Sequence, residues 1–396
     1  MDLKIMTDDI EDTALDQIHT LASIPAFEDS KIRVMPDVHA GKGCVIGFTA
    51  NMGDKIIPNV VGVDIGCGML TVDLGKPSFS FDALEETIHK RVPSGMNVHS
   101  GRIARFPELQ ELYCYRDLRD SKRLERSIGT LGGGNHFIEI DRDEDGETYL
   151  IIHSGSRNLG KQVAEYYQKI AIDLMSGKGE LFKAQEELIA EYKAQGRRTE
   201  IQDAIKELHR AFKAKTPNLP ADLCYFSGEW SERYLHDMKI CQEFATLNRK
   251  TMADSIVDEL GLDVHDFFET IHNYIEFDTN IVRKGAISAK KGETLLIPIN
   301  MRDGCILGVG KGNPDWNYSA PHGAGRVMSR MKARENVSLE DFKKSMSGIY
   351  SQSVVEETID ESPFAYRSID KILDKIEPTV EIKKLLKPVY NFKAKE

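Results

Sequence analysis

Residues 130–160 read TLGGGNHFIEIDRDEDGETYLIIHSGSRNLG, and this run decides the fold class. Two apolar, β-branched stretches flank an acidic turn ending in Asp145-Gly146, which predicts a β-hairpin over Glu139–Tyr149. Period-two geometry puts Asn135, Phe137 and Glu139 on one face of the first strand and His136 on the other. The preceding Gly132-Gly133-Gly134 frees the backbone to bring both sets toward one cleft, although such a run is also what a simple bulge uses. The end of the stretch, HSGSRNLGKQ, matches GxxxxGK after a strand and before a helix, but Gln162 replaces the magnesium-binding hydroxyl of a Walker A loop. His153 just upstream points to metal binding instead, and Ser154–Arg157 suits an anion-accepting nest.

Working outward, KIRVMPDVHAGKGCVIGFTA (31–50) and KIIPNVVGVDIGCGMLTVDLG (55–75) are further strand signals broken by glycine. A helix is expected over Phe81–Arg91. After Gly160 the spacing turns helical, at Gln162–Met175, Glu180–Gln195, Glu200–Lys213 and Ser231–Leu260, with the very polar Gly177–Pro220 as a protruding arm. Strands and turns return over Ile271–Val309. Helix is expected over Arg326–Arg334 and from Ser338 onward. The fold class is therefore α+β: one domain, 1–396, with a helical excursion over 161–265.

Against 52 Lys+Arg stand 63 Asp+Glu, a formal charge of −11, which excludes an extended basic coat. With 41% hydrophobic and 29% charged residues the chain is of the soluble, core-forming type. The acidic start MDLKIMTDDIEDTALDQIHT does not read as a signal peptide, and no apolar stretch approaches the roughly 18 residues of a membrane span, so a cytoplasmic location is expected. Six scattered cysteines without a CxxC pair read as reduced thiols.

The chemistry concentrates in a few places. Asp64 and Cys67 share a Gly-bracketed turn, VDIGCG, where a carboxylate and a thiolate converge on one cation and the thiolate has lone pairs enough to bridge two. His136, His153 and His272 sit in glycine-rich or strand-end settings. Each alone is better explained as a core or turn residue. Together the five exceed what one open site needs and suggest two metals, with Mn, Fe, Co or Zn all compatible. His322, in PHGAGR (321–326), stands where a helix start would expose N–H groups to an anion, with Arg326 and Arg330 four apart on one face. A packed helix terminus is the plainer reading of that segment.

The ordered motifs MPDVHAGKG, GVDIGCG, LGGGNHFIE, HSGSRNLG, the histidine of HNY, and HGAGR resemble the RtcB family of RNA-splicing ligases over nearly the whole chain. The resemblance implies a single catalytic domain whose β-sheet core encloses a metal cleft and is surrounded by helices, and a GTP- and Mn²⁺-dependent enzyme that joins RNA 3′-phosphate or 2′,3′-cyclic phosphate ends to 5′-hydroxyl ends, in RNA repair or tRNA splicing. It implies that Cys67 bridges two manganese ions, with Asp64 and His136 on one and His153 and His272 on the other, and that His322 becomes guanylylated. Expected GTP contacts are Asn135, His136, Phe137, Ile138, Glu139, His272, Asn273, Asn300, Cys305, His322, Gly323, Ala324 and Gly325. Tyr366 would stack on the base and Lys393 would contact guanine. Arg157 and Arg326 would meet phosphate or RNA, and an activating protein such as archease is a partner of interest.

One departure is PINMRDGCIL, which puts Asn300 and Cys305 where nucleotide-contacting serines are expected and so bears on nucleotide preference. An acidic protein that binds RNA needs a local basic track, and the candidates are Lys193–Arg198, Arg283-Lys284, Lys290-Lys291 and Arg326–Arg334, each of which solvated surface would also explain. The leading alternative is a two-metal phosphodiesterase or phosphohydrolase, which has no need of His322. A non-catalytic RNA-end-binding module is a second. A lysine-nucleophile ligase is disfavoured, because the nearest string to KxDG, 301–304, begins with Met.

Overall fold

In the computed structural model, which describes residues 2–213 and 215–394, the hairpin forms as its alternation predicts. Strands β5 (Phe137–Arg142) and β6 (Thr148–Ser154) pair antiparallel, with Glu139 opposite Ile151. Asp143 closes the turn, its carboxylate accepting from the N–H groups of Asp145 and Glu147 at 2.9 Å. The two faces of β5 have different company. Ile138 and Ile140 pack with Leu84, Ile88, Met252 and Ile256 of two helices, whereas Phe137 shares a cluster with Met69, Ile151 and Leu386.

The hairpin is the middle of a seven-stranded sheet. Its other strands are β4 (Gly68–Asp73), β7 (Asp266–Ile271), β11 (Thr294–Asn300), β12 (Gly304–Gly310) and β14 (Val380–Lys393), in the order β11-β12-β14-β5-β6-β4-β7. Every neighbouring pair is antiparallel. The ends approach one another where the Leu296 N–H donates to Thr270 Oγ1 at 3.1 Å, so the sheet curls into a nearly closed barrel. A second sheet takes β1 (Asp2–Ile5), β2 (Lys31–His39), β3 (Ile46–Asn51), β8 (Tyr274–Ile275) and β9 (Ile281–Lys284), in the order β1-β2-β3-β9-β8. A short pair, β10 (Ala286–Ser288) and β13 (Ser319–Pro321), completes the strands among the described residues.

The helix Phe81–Arg91 is found where expected, started by Ser80, whose hydroxyl accepts from Ala83 N–H. The helical middle is narrower than 161–265 suggests as an excursion. Helices Arg157–Met175 and Glu229–Leu260 bury Tyr167, Tyr234, Phe244 and Met252 in the core. The intervening pair differs: Lys178–Ala194 buries only Leu181, and Ile201–Ala211 buries nothing. No helix among the described residues is long and apolar enough to cross a membrane.

Three expectations need correction. Arg326–Arg334 is not one helix. Gly325 takes φ +73°, Arg326 makes a β-bridge to Tyr366, and the helix begins at Arg330 behind its Ser329 cap. The segment after Ser338 holds only short helices and then β14, a 14-residue strand between β12 and β5. Its lysines and Pro388 mask the strand pattern, and Pro388 sits at a break in register, where the missing N–H does least harm. Arg283 and Lys284 are buried rather than an RNA-facing pair: Arg283 donates to Ser319 and Tyr274, Lys284 to the carbonyls of Lys42 and Asn59.

Candidate active site

Two loops and two strand ends bring the expected metal ligands together. Asp64 and Cys67 lie in the turn before β4, His136 at the start of β5, His153 near the end of β6 and His272 just after β7. Cys67 Sγ stands at the centre, 3.4 Å from His136 Nε2 and 3.3 Å from His153 Nε2. Asp64 Oδ2 is 3.1 Å from His136 Nε2 on one side. On the other, the His153 and His272 ring centroids are 5.3 Å apart. The order in space is thus Asp64, His136, Cys67, His153, His272.

The backbone fixes which nitrogens point inward. His136 Nδ1 is hydrogen-bonded to the Leu131 carbonyl at 2.9 Å, and His153 Nδ1 to that of Asn135 at 3.2 Å, so both rings turn Nε2 toward the thiol. Burial and the neighbouring imidazoles push His153 and His272 well below the ordinary histidine range, which leaves their lone pairs available. Burial raises Asp64, but the hydrogen bond and charge of His136, with Arg157, outweigh it and hold the carboxyl at about 2. Burial and the Asp64 charge push the Cys67 thiol well above its usual value, so a bound cation must displace its proton. Asp64 Oδ1 and His272 Nδ1 are buried without a partner. One thiol, one carboxylate and three imidazoles with unmet bonding capacity fit a pair of borderline divalent ions.

Small residues permit this crowding. A Cβ on Gly155 would lie 2.2 Å from Asp64 Oδ1, and one on Gly132 would strike the Arg157 guanidinium. Arg157 itself takes φ +57°, with Nη1 3.2 Å from His136 Nδ1. From beneath, the helix Glu229–Leu260 props the loops. Asn248 accepts from Gly129 and Thr130 N–H and donates to the Gly155 carbonyl; buried Arg249 donates to the carbonyls of Gly66 and Ser154 and pairs with Glu269.

Beside this Cys67-centred cluster opens a cavity of about 260 Å³. His322 and His153 line it, and the His322 ring is 4.8 Å from that of His272. His322 Nδ1 is 2.7 Å from Oδ2 of Asp37, a fully buried carboxylate that also accepts from the His322 N–H. Nε2 is left for the cavity. Asn135, Phe137, Glu139, Asn300, Tyr366 and Lys393 also line the cavity, as do Gly323, Ala324 and Gly325.

Other expected contacts lie elsewhere. Ile138 faces the apolar layer behind the sheet. Asn273 braces the loop of Asp64, donating to the Asp64 carbonyl and accepting from the Gly285 N–H. Cys305 is buried beneath the cavity against Glu139. Arg326 borders the cavity but pairs with Glu361 at 3.1 Å and stacks over Tyr366, so it shapes the wall.

Sequence reasoning missed Asp37 and Glu361. A carboxylate in the middle of the apolar run of β2 was the available signal for Asp37. Glu361 is buried, accepts from Lys393, Tyr366 and Arg326, and is held below the usual range because these cations and donors outweigh its burial. Nothing local in ETIDES marks it.

The family profile described as "tRNA-splicing ligase RtcB" matches residues 17–117 and 113–394. "RNA-splicing ligase RtcB" of Escherichia coli K12 is 31% identical, covering 94% of this chain and 92% of the relative. The E. coli ATCC 25922 protein "RNA-splicing ligase RtcB1" has the same identity and coverage. "tRNA-splicing ligase RtcB" of Aeropyrum pernix is 27% identical over 91% of this chain and 87% of its own length. With a thiol-centred ligand cluster beside a histidine-lined cavity, and matches of this extent, the chain belongs to the tRNA-splicing ligase RtcB family.

Proposed function

We propose that this chain is an RNA ligase that uses GTP and Mn²⁺ to join 3′-phosphate or 2′,3′-cyclic phosphate ends to 5′-hydroxyl ends through a covalent His322–GMP intermediate. The observation that carries the reading is His322, held at Nδ1 by buried Asp37 and lining a cavity beside a cluster of one thiol, one carboxylate and three imidazoles. Asp64, Cys67, His136, His153 and His272 would hold two Mn²⁺, which supply positive charge against that developing on phosphoryl oxygens.

His322 Nε2 attacks the α-phosphorus of GTP, an N–P bond forming as the bond to pyrophosphate breaks. An oxygen of the RNA 3′-phosphate then displaces the imidazole from that phosphorus, giving an RNA end capped through a pyrophosphate linkage to guanosine. Where the end is a cyclic phosphate, water must open it first. The 5′-hydroxyl attacks the activated 3′-phosphate, loses its proton and expels GMP. Throughout, Asp37 keeps the Nδ1 proton in place, so that Nε2 has a lone pair for each cycle. Tyr366 and Phe137 flank the base, Lys393 meets its edge, and Arg157 supplies a guanidinium for phosphate. RNA repair and tRNA splicing are the settings this chemistry serves, and archease is the activating partner to add if turnover is slow.

A two-metal phosphohydrolase would use the same ligand cluster, but it leaves the Asp37–His322 pair without a task. Incubation with Mn²⁺ and α-labelled GTP is expected to leave acid-labile label on the protein, absent in His322→Ala, and to support joining of a 3′-phosphate RNA to a 5′-hydroxyl RNA. Absence of label in the wild type, or label persisting in the variant, overturns the proposal.

A further inference from the structure

Beneath the cavity, inside the barrel, lies a cluster that the chemistry above does not use. Glu139 and Asp141 point inward from β5, Cys305 from β12 and Asn391 from β14, none of them more than 2% exposed. The donor atoms of Glu139, Asp141 and Cys305 all lie within 4.8 Å of one another. Glu139 is satisfied, accepting from the Asn391 amide and the Cys305 thiol. Asp141 is not. Both of its carboxylate oxygens are buried without a partner. Its cross-strand neighbour on β14 is Pro388, which has no N–H to give.

Two ionised carboxylates cannot sit this close in a low-dielectric interior without a cation between them. The charged and titratable groups around the pair do not supply one. Lys393 of β14 is already held by Glu361 at 2.7 Å, Lys384 of β14 pairs with Asp143, Tyr149 faces the pair from β6, and burial pushes the Cys305 thiol well up. A proton held between the carboxyls meets the need of Asp141. Burial drives both upward, Glu139 furthest because the Asp141 charge adds to it, and Asp141 to about 6.

Resting on the nucleotide-binding reading of the cavity, we propose that Asp141 is a specificity-determining positioning residue: it shares one proton with Glu139, so that the cavity accepts an adenine nucleotide as well as a guanine one. Glu139 lines the cavity, whereas Asp141 does not. As a carboxylate, Glu139 accepts from guanine N1–H and N2–H. As a carboxyl, it donates to adenine N1 and accepts from N6–H. A site with one fixed hydrogen-bond pattern rejects the mismatched partner by about 10⁴; a pair that moves its proton does not.

The test compares labelling of the protein by α-labelled ATP and GTP with Mn²⁺. The ATP:GTP ratio in the wild type is expected to fall at least about tenfold as rising pH removes the shared proton. In Asp141→Asn, whose amide donates to Glu139 but takes up no proton, the ratio is expected to fall by about tenfold at neutral pH and to lose its pH dependence. A wild-type ratio flat with pH, or one unchanged in the variant, overturns the proposal while leaving the ligase reading intact. Label from neither nucleotide defeats the ligase reading itself and this proposal with it. Infrared spectroscopy needs no nucleotide: a buried protonated carboxyl band at neutral pH is expected in the wild type, and its absence overturns the shared proton. A third equivalent of bound metal that disappears in Asp141→Asn would put a cation where the proton is proposed, and also overturns it.

Discussion

His322 and Asp37 are 285 residues apart in sequence and 2.7 Å apart in space. The histidine was legible because glycines surround it; its partner was not, since a lone aspartate in MPDVHAGKG carries no mark of what it will face. Asp37 has one task available. Fully buried, with Oδ1 lacking any partner, it is a costly group unless the imidazole it holds is itself required. In Asp37→Asn the amide can donate to Nδ1 and so favour the tautomer that protonates Nε2, removing the lone pair that attacks phosphorus. Formation of the protein–GMP adduct is expected to slow by about 10³–10⁴, while Mn²⁺ affinity, read by electron paramagnetic resonance, stays unchanged because Asp37 is not a ligand. A parallel loss of metal would assign Asp37 to the metal centre instead. Glu361 was illegible because two of its partners, Lys393 and Arg326, lie 32 and 35 residues away in sequence.

At the level of elements, alternation made the β5–β6 hairpin readable, and 3.6-residue spacing made the long helix readable. What that helix does was not readable. Asn248 and Arg249 look like surface residues among NRKT, yet both are fully buried and tie the three loops around Gly66, Gly129 and Gly155 to one rigid rod. Arg249→Met leaves the Gly66 and Ser154 carbonyls without this donor and takes the cation from Glu269, which keeps only the Thr246 hydroxyl. A loss of about 3–5 kcal/mol in unfolding free energy is expected, with Mn²⁺ binding weakened by about 10- to 100-fold. Denaturant melts and metal titration of the folded variant separate the two. Full metal affinity in a destabilised protein would make Arg249 structural only. The strand β14 shows the opposite failure: its register with β5 and β12 is long, but lysines on its exposed face gave the segment the texture of a helix.

Across the whole molecule, the division of labour is between a barrel with its helical backing, which holds the site, and a helical hairpin, 178–211, that adds little to it. Residues 179–213 carry seven basic and seven acidic side chains, so the hairpin is electrically neutral despite the string KAQGRR. Arg197 is spent internally, on Glu200 and over the ring of Tyr192. The base of the arm is already closed, the Lys215 N–H donating to the Ser176 carbonyl at 3.0 Å. Replacing 179–213 by a short glycine-serine link therefore exposes little apolar surface and adds little loop entropy. The melting temperature is expected to move by less than about 3 °C, with the rate of His322 labelling unchanged. The slope of RNA affinity against salt should also persist, since a neutral segment releases few counterions. A flattened salt slope would make the arm part of the RNA track. Loss of cooperative melting would instead mean that the hairpin belongs to the core after all.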